Sequence, residues 1–386
     1  MSTSLGNHYF LTGGTGGLGR ELIPRLLADD PSARLTILIR AAGPDHMRRR
    51  LEATLRYVRH FYPGFYADRL DAVTGDASRD RFGLSRAAYA RLAQSVTHIV
   101  HAAASIDLAG SYEALRHNNL GGTQVVTRLA QRCQRLRCFL LVSTAYVAGR
   151  RSGDVLEDEL DKGQTFVNHY ERSKFDSEVF VRALSERLPT VIVRPSIVVG
   201  DSRDGHAASF QNMYVPLYYV GIGALSRIPG DPETLVDLVP INHVIDVIAS
   251  VVNEPAAIGH TYHACGGAKN LVPFTLLVTA ARRVLAARRL ARERARPSRT
   301  SPGSSAALAG RLDYLFRYLG CSKRFCSANL TRDLGDRAPR CPHPATYVPN
   351  LMNFWRSTDF GEHMPWEHED GPTATNAAAR LVEDRC

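Results

Sequence analysis

The chain has no run of ~18 or more apolar residues, the length a bilayer-spanning helix needs. Its best stretch, Leu235 to Val252, is interrupted by Asp237, Asn242, His243 and Asp246, so no transmembrane segment is expected. The opening residues, Met1 to Asn7, carry neither a basic region nor an apolar one. No signal peptide is therefore expected, and the expected location is cytoplasmic. Cysteine is sparse and unpatterned: Cys133, Cys138, Cys265, Cys321, Cys326, Cys341 and Cys386 are odd in number and form no CxxC pair. Cys321, Cys326 and Cys341 invite comparison with a zinc site, but reduced thiols and no metal are the expectation. Internal repeats and nucleic-acid-binding motifs are also missing, so nucleic acid is not an expected partner.

What is present is an ordinary globular composition, 44% hydrophobic and 22% charged over 386 residues. That length suits one α/β domain with a substrate-binding appendage. The net charge of +10 is concentrated: eight arginines and one glutamate lie between Arg282 and Arg299. Such a patch is either a solvated helix or a surface for an acidic partner: a carrier protein, coenzyme A phosphates, or peripheral contact with an anionic membrane.

Strand patterns at 8–11, 35–39, 70–74, 98–101, 138–142 and 190–193 alternate with helical patterns at 17–28, 46–60, 85–94, 112–135 and 168–187. This alternation predicts a Rossmann-type doubly wound parallel sheet covered on both faces. The expected division is a dinucleotide-binding domain with the catalytic residues at 1–205 and a smaller substrate-binding region at 206–370. The latter includes a basic helix at 276–296 and a linker at 297–307, with a further helix at Ala309 to Leu319. A disordered tail is expected at 371–386.

The segment Thr12-Gly13-Gly14-Thr15-Gly16-Gly17-Leu18-Gly19 joins the first strand to the first helix. Glycines there let the backbone approach a pyrophosphate, whose charge meets free N–H groups at the helix start. Arg40 closes the second strand, where an acidic residue would select NAD; an arginine favours the 2′-phosphate of NADP. Arg48, Arg49 and Arg50 follow, and one of them can join the clamp. Asp76 closes the third strand, as acceptor from an adenine amino group or as a plain helix N-cap. Tyr170 and Lys174 stand one helical turn apart on one face. A neighbouring ammonium stabilises the phenolate, letting Tyr170 give a proton to an oxyanion. Thr144, at the end of the fifth strand, can hydrogen-bond a reacting carbonyl. Tyr146 has no lysine one turn on and reads as packing or substrate wall.

These motifs, with His101-Ala102-Ala103-Ala104, Ser143-Thr144-Ala145 and Arg194-Pro195, resemble the extended short-chain dehydrogenase/reductase superfamily. Three longer stretches, Tyr170 to Glu178, Arg194 to Gly205 and Asp237 to Asn242, resemble its thioester reductase and fatty acyl-CoA reductase branch. The resemblance covers about residues 6–265, and Phe325 to Asn329 with Cys341-Pro342 loosely echo the family's C-terminal cap. It implies Thr144, Tyr170 and Lys174 as catalytic residues. It also implies a cofactor site of Gly13, Thr15, Gly16, Gly17, Leu18, Gly19, Arg40, Arg50, Asp76, Ala102, Ala103, Ala104, Asn119, Ser143, Tyr170, Lys174, Pro195 and Ser196. Asn119 matches an asparagine that buttresses the active-site helix, with simple helix packing as the equal alternative. The chain departs from the branch at Asn242, where a carboxylate is usual, and in the basic helix and linker at 276–307.

The implied activity is NADPH-dependent reduction of an acyl thioester, held by a carrier protein or coenzyme A, to an aldehyde and on to an alcohol. The same fold and triad also serve ketone or alcohol oxidoreductases and sugar epimerases or dehydratases. A non-catalytic dinucleotide sensor or scaffold is the alternative of another kind. Tyr214, Leu217, Tyr218 and Tyr219 are candidates for an acyl channel or for core.

Overall fold

The computed structural model describes residues 6–65, 67–211, 213–225, 231, 233–295 and 322–366. The expected linker at 297–307, the helix at Ala309 to Leu319 and the tail at 371–386 lie outside the described residues. Strands β1 (His8–Thr12), β2 (Arg34–Ile39), β3 (Leu70–Thr74), β4 (His98–His101) and β5 (Cys138–Val142) alternate with helices. Those helices are α1 (Gly17–Ala28), α2 (Pro44–Phe61), α3 (Arg86–Ser95), α4 (Tyr112–Arg116) and α5 (Gly122–Ala130). There follow β6 (Gly153–Val155), α6 (His169–Arg182), β7 (Thr190–Pro195), β8 (Ile197–Val199), α7 (Tyr214–Gly221), β9 (Leu235–Pro240) and α8 (Ile241–Val252). The last labelled elements are β10 (Thr261–Ala264), β11 (Leu271–Pro273), α9 (Phe274–Val284), α10 (Ala286–Ala295) and β12 (Lys323–Phe325).

Seven strands form one sheet in the order β3-β2-β1-β4-β5-β7-β10, and every pairing in it is parallel. Both faces are covered, and the period-2 alternation of side chains divides each strand between them. Leu11 and Leu140 face Leu22 and Ile23 of α1 and Val244 and Ile248 of α8. Phe10 and Phe139 face Leu92 of α3, Val126 and Leu129 of α5 and Val181 of α6. Each such buried side chain contributes ~1.5–3 kcal/mol, and together they hold the ends of β1, β4 and β5 level.

Chain beyond residue 205 returns to this sheet twice: α8 packs on α1, and β10 supplies the edge strand beside β7. The remaining lobe packs α7, α9 and the helix Pro344–Ser357 around Tyr214, Leu217, Leu277, Tyr347 and Trp355. Tyr214 and Leu217 are thus core, and Tyr218 and Tyr219 pack partly buried against the same cluster.

Three helical expectations need correction. The helix expected at 112–135 is divided by a π-turn at His117–Gly121 and ends at Ala130. The wide turn brings Asn119 into the interior, where tertiary hydrogen bonds hold it. The helix expected to reach 187 stops at Arg182. The basic helix is interrupted at Leu285, which is buried and caps α9. Among the described residues, no helix is long and apolar enough to cross a membrane.

Candidate active site

At the end of β1 the chain turns through Gly13 with φ of +80°. A Cβ there would sit 2.7 Å from the Ala103 backbone nitrogen, so only glycine fits. The Gly16 amide donates to the Gly13 carbonyl at 2.9 Å, and α1 starts directly after it with no side chain capping its end. A Cβ on Gly19 would overlap the Gly13 carbonyl oxygen, so this glycine lets the helix lie against the turn. The N–H groups and positive dipole end of this helix, which no side chain caps, are chemically suited to an anion.

A cleft of about 380 Å³ opens beside this turn, lined in part by Gly13, Thr15, Gly16, Arg40, Arg50, Asp76 and Ala102 to Ala104. Arg40 is exposed at its edge. Arg50 reaches back from α2, donating to the Arg40 carbonyl at 2.5 Å and to Thr15 Oγ1 at 2.6 Å. Burial, and then the nearby Arg40 charge, lower the Arg50 pKa. Arg48 instead pairs with Asp45 on its own helix. Asp76 Oδ1 accepts the Ser78 amide at 2.9 Å and the Ser78 hydroxyl at 2.8 Å, closing a local turn. Those bonds, with Arg40 and Arg79, hold its pKa low against the opposing effect of burial. Gly17 is exposed at the helix start, and Leu18 packs on the core.

The strand β5 delivers Thr144 and the helix α6 delivers Tyr170 and Lys174. The start of α6 is fixed locally: Asn168 accepts the Glu171 amide at 3.0 Å, and Glu171 reaches back to accept that of Val167 at 2.8 Å. The Thr144 hydroxyl accepts the Tyr146 amide at 3.2 Å and donates to the Pro195 carbonyl at 3.4 Å. Burial, with the Glu171 charge, pushes the Tyr170 phenol up to about 12, and the Thr144 hydroxyl pulls the other way. Lys174 is buried and donates to the Val142 carbonyl at 2.8 Å. Burial lowers its pKa to about 8, opposed by Glu178.

Asn119 is a clamp. Its amide accepts the Ser105 N–H at 2.7 Å and donates to the Ser105 carbonyl at 3.1 Å and to Ser173 Oγ at 2.8 Å. It thus ties the loop after β4 to α6, between Tyr170 and Lys174. Beneath that loop His101 bridges Thr12 at 2.7 Å and Thr123 at 3.1 Å. Burial, and the Lys174 charge, push it down to about 3, so it stays neutral.

The hydroxyls of Ser143 and Ser196, two residues expected to line the cofactor, bond to buried carboxylates. Ser143 donates to Glu178 at 2.9 Å, and Ser196 donates to Asp237 at 2.5 Å. Sequence reading also overlooked the buried pair of Glu178 and Arg194, joined at 2.5 Å. Its one signal was an arginine inside the otherwise apolar run of β7. Asn242, the amide where a carboxylate was expected, accepts the Ser202 amide at 2.9 Å and donates to its hydroxyl at 3.0 Å. Tyr146 is half-buried, its ring edge-on to Phe325. Cys326 and Cys341 are free thiols.

The chain is 30% identical over 268 residues to the nonribosomal peptide synthetase asaC of Aspergillus flavus, covering 66% of this chain and 26% of that protein. It is 31% identical over 265 residues to an isonitrile lipopeptide synthase of Mycobacterium tuberculosis, covering 62% and 10%. It is 24% identical over 313 residues to the chloroplastic fatty acyl-CoA reductase 2 of Arabidopsis thaliana, covering 64% and 51%. The chain therefore spans about half or less of these relatives.

Among solved structures, the terminal R domain of the myxalamid PKS-NRPS pathway superposes with a TM-score of 0.76 at 25% identity, covering 93% of this chain and 92% of that one. The dTDP-glucose 4,6-dehydratase DesIV of Streptomyces venezuelae, with NAD and TYD bound, shares the fold at a TM-score of 0.64 and 20% identity, covering 93% and 100%. The family model described as male sterility protein, an NAD-binding domain, matches residues 11–248. The chain belongs to that NAD-binding male sterility protein family, on the Rossmann-type fold of the extended short-chain dehydrogenase/reductases.

Proposed function

We propose that this chain reduces an acyl thioester to an aldehyde with NADPH, using Thr144, Tyr170 and Lys174. The observation that supports the reading is that Thr144 hydrogen-bonds Tyr170, and Lys174 stands one turn on along the same helix with its ammonium on the Val142 carbonyl, two residues before Thr144. The cleft residues suit NADPH: close-approach glycines and an uncapped helix for the pyrophosphate, Arg40 and Arg50 for a 2′-phosphate, and Asp76 for an adenine amine. When bound, NADPH supplies the hydride.

The protein's part is to hold the carbonyl oxygen and manage its charge. Thr144 and Tyr170 hydroxyls donate to that oxygen. With its phenol near 12, Tyr170 carries its proton at neutral pH and gives it up only as negative charge develops. Lys174, charged below about 8, stabilises the resulting phenolate. The hemithioacetal then expels the thiol and leaves the aldehyde; a second reduction gives the alcohol. Tyr170→Phe should lower kcat by ~100-fold or more with NADPH affinity unchanged, and full turnover by that variant would overturn the assignment.

Relatives named as peptide synthetases and as fatty acyl-CoA reductases support an acyl donor on a carrier protein or coenzyme A. For the carrier, the exposed side of α9–α10 is the proposed docking surface, with Arg282 and Arg283 beside Leu276 and Leu290. Arg288 has a different task, anchoring the helix to Asp359 at 2.6 Å and Glu362 at 3.0 Å. Replacing Arg282 and Arg283 with alanine should raise KM for a carrier-bound substrate about fivefold, two exposed pairs at ~0.5 kcal/mol each. KM for a small thioester should not move; equal effects on both would count against docking.

A further inference from the structure

The mechanism above leaves several buried carboxylates unused, and one of them, Glu178, shares a helix face with Lys174. Glu178 lies on α6 one turn beyond Lys174, with no exposed surface. Its orientation is over-determined: Arg194 donates from Nε to both carboxylate oxygens at 3.1 Å, Ser143 donates at 2.9 Å, and Arg182 lies at 3.2 Å. Arg194 is itself fixed by the Glu157 and Glu159 carbonyls at 3.1 and 2.8 Å. The Ser143 that orients Glu178 adjoins both Thr144 and Val142, whose carbonyl holds Lys174. One strand end therefore positions the proton donor's partner, the lysine and the carboxylate together.

We infer that Glu178 is the counter-charge that keeps Lys174 an ammonium inside the site, a positioning residue for proton delivery by Tyr170. This rests on the Tyr170–Lys174 reading above. A buried ammonium needs a compensating charge. Among the described residues, the elements packed on α6 offer Lys174 no other buried carboxylate: Glu113 of α4 is exposed, as are His117 of the π-turn and Arg128 of α5. From β4 comes His101, neutral; from β5 the Val142 carbonyl and the Ser143 hydroxyl. From the π-turn and α5 come the uncharged Asn119 and Thr123, from the turn after Thr144 comes Tyr146, and from β7 the cation Arg194. On α6 itself Glu171 serves the helix start, and Asp176 pairs outward with Arg172 and Tyr112. The α4 cation Arg116 is exposed. Consistently, burial drives the Lys174 pKa down, and Glu178 is the charge that raises it.

The sign of the effect follows. Lys174 is competent while protonated, so kcat/KM should fall as pH rises through about 8. Without Glu178 that fall should come at least about one pH unit earlier, a tenfold change in the protonation constant. Glu178→Gln leaves Arg194 buried without its partner and can fail to fold. The double variant Glu178→Leu with Arg194→Met removes the pair as a unit, an exchange that buried ion pairs often tolerate.

The experiment records kcat/KM against pH for the parent, Glu178→Gln, the double variant and Glu178→Asp. Expected is near-parental activity of both charge-removing variants at about pH 6, an early alkaline fall, and partial return of the limb in Glu178→Asp. Glu157, pushed up to about 7 by burial, faces Arg194 and not Lys174, so Glu157→Gln should leave the limb in place. Activity lost equally at every pH, or a limb unmoved in the folded double variant, would overturn the inference. Tyr170→Phe and Lys174→Met separate the two levels. If both are inactive and the limb is still unmoved, Glu178 alone is misassigned. If either retains parental activity, the underlying reading fails.

Discussion

The proposed selection of NADPH over NADH rests on Arg40, just past β2, and Arg50, reaching back from α2, and Arg40→Ala is the clean way to test it. Arg40 is exposed and donates to no protein acceptor among the described residues, so its removal leaves the fold alone. Hydrogen bonds to a charged group are worth ~1.5–3 kcal/mol, and solvent exposure favours the lower end. The expected loss of NADPH affinity is therefore about tenfold. Arg50 is less clean because it also ties Thr15 to the Arg40 carbonyl. Arg50→Ala should weaken NADPH by a similar factor and NADH by a smaller one, as the glycine turn loosens. The assay is Kd for both cofactors by fluorescence titration at low and high salt. In Arg40→Ala, NADH binding should stay within about twofold of the parent. An equal loss for both cofactors would refute the assignment of these residues to a 2′-phosphate.

Neighbouring glycines should part company. Gly19→Ala drives a Cβ into the backbone at Gly13 and Gly14 and should lower the melting temperature and abolish dinucleotide binding, whereas Gly17→Ala meets no protein atom nearer than 3.9 Å and should melt like the parent. A second test concerns the seam between α1 and the loop after β8. His206 is bonded to Glu21 at 3.2 Å and Asp204 at 2.7 Å, and these carboxylates raise its pKa to about 9 against burial. A raised histidine stabilises the fold fully below its unfolded pKa and loses that contribution as pH rises through about 9. His206→Gln should therefore melt lower than the parent near pH 6, with the gap closing in alkaline melts; a constant gap would contradict the ion pair.

Much of this was legible in the amino-acid order because local physics dictates it. Six strands of the main sheet are apolar runs between glycine, proline or polar breaks, and the turn from Thr12 to Gly19 announces its own geometry. Tyr170 and Lys174 could be paired because helical spacing alone puts them on one face. What stayed hidden depends on contacts across the fold. The π-turn at Asn119 leaves no mark on periodicity, since Ser105 and Ser173 pull the amide inward. No local signal shows that the hydroxyls of Ser143 and Ser196 are held by Glu178 and Asp237, distant in sequence. Nor does any local signal show that Thr261–Ala264, after a separate lobe, completes the sheet beside β7.

The central claim is thioester reduction, and one coupled measurement tests it most directly. Purified protein with NADPH and a panel of acyl-CoA and acyl-carrier thioesters is followed for cofactor oxidation and free thiol together. The account predicts thiol released in step with NADPH, one for one when the product stops at aldehyde and one for two when it goes on to alcohol. NADPH oxidised with no thiol released would contradict it and move the chemistry to a free carbonyl.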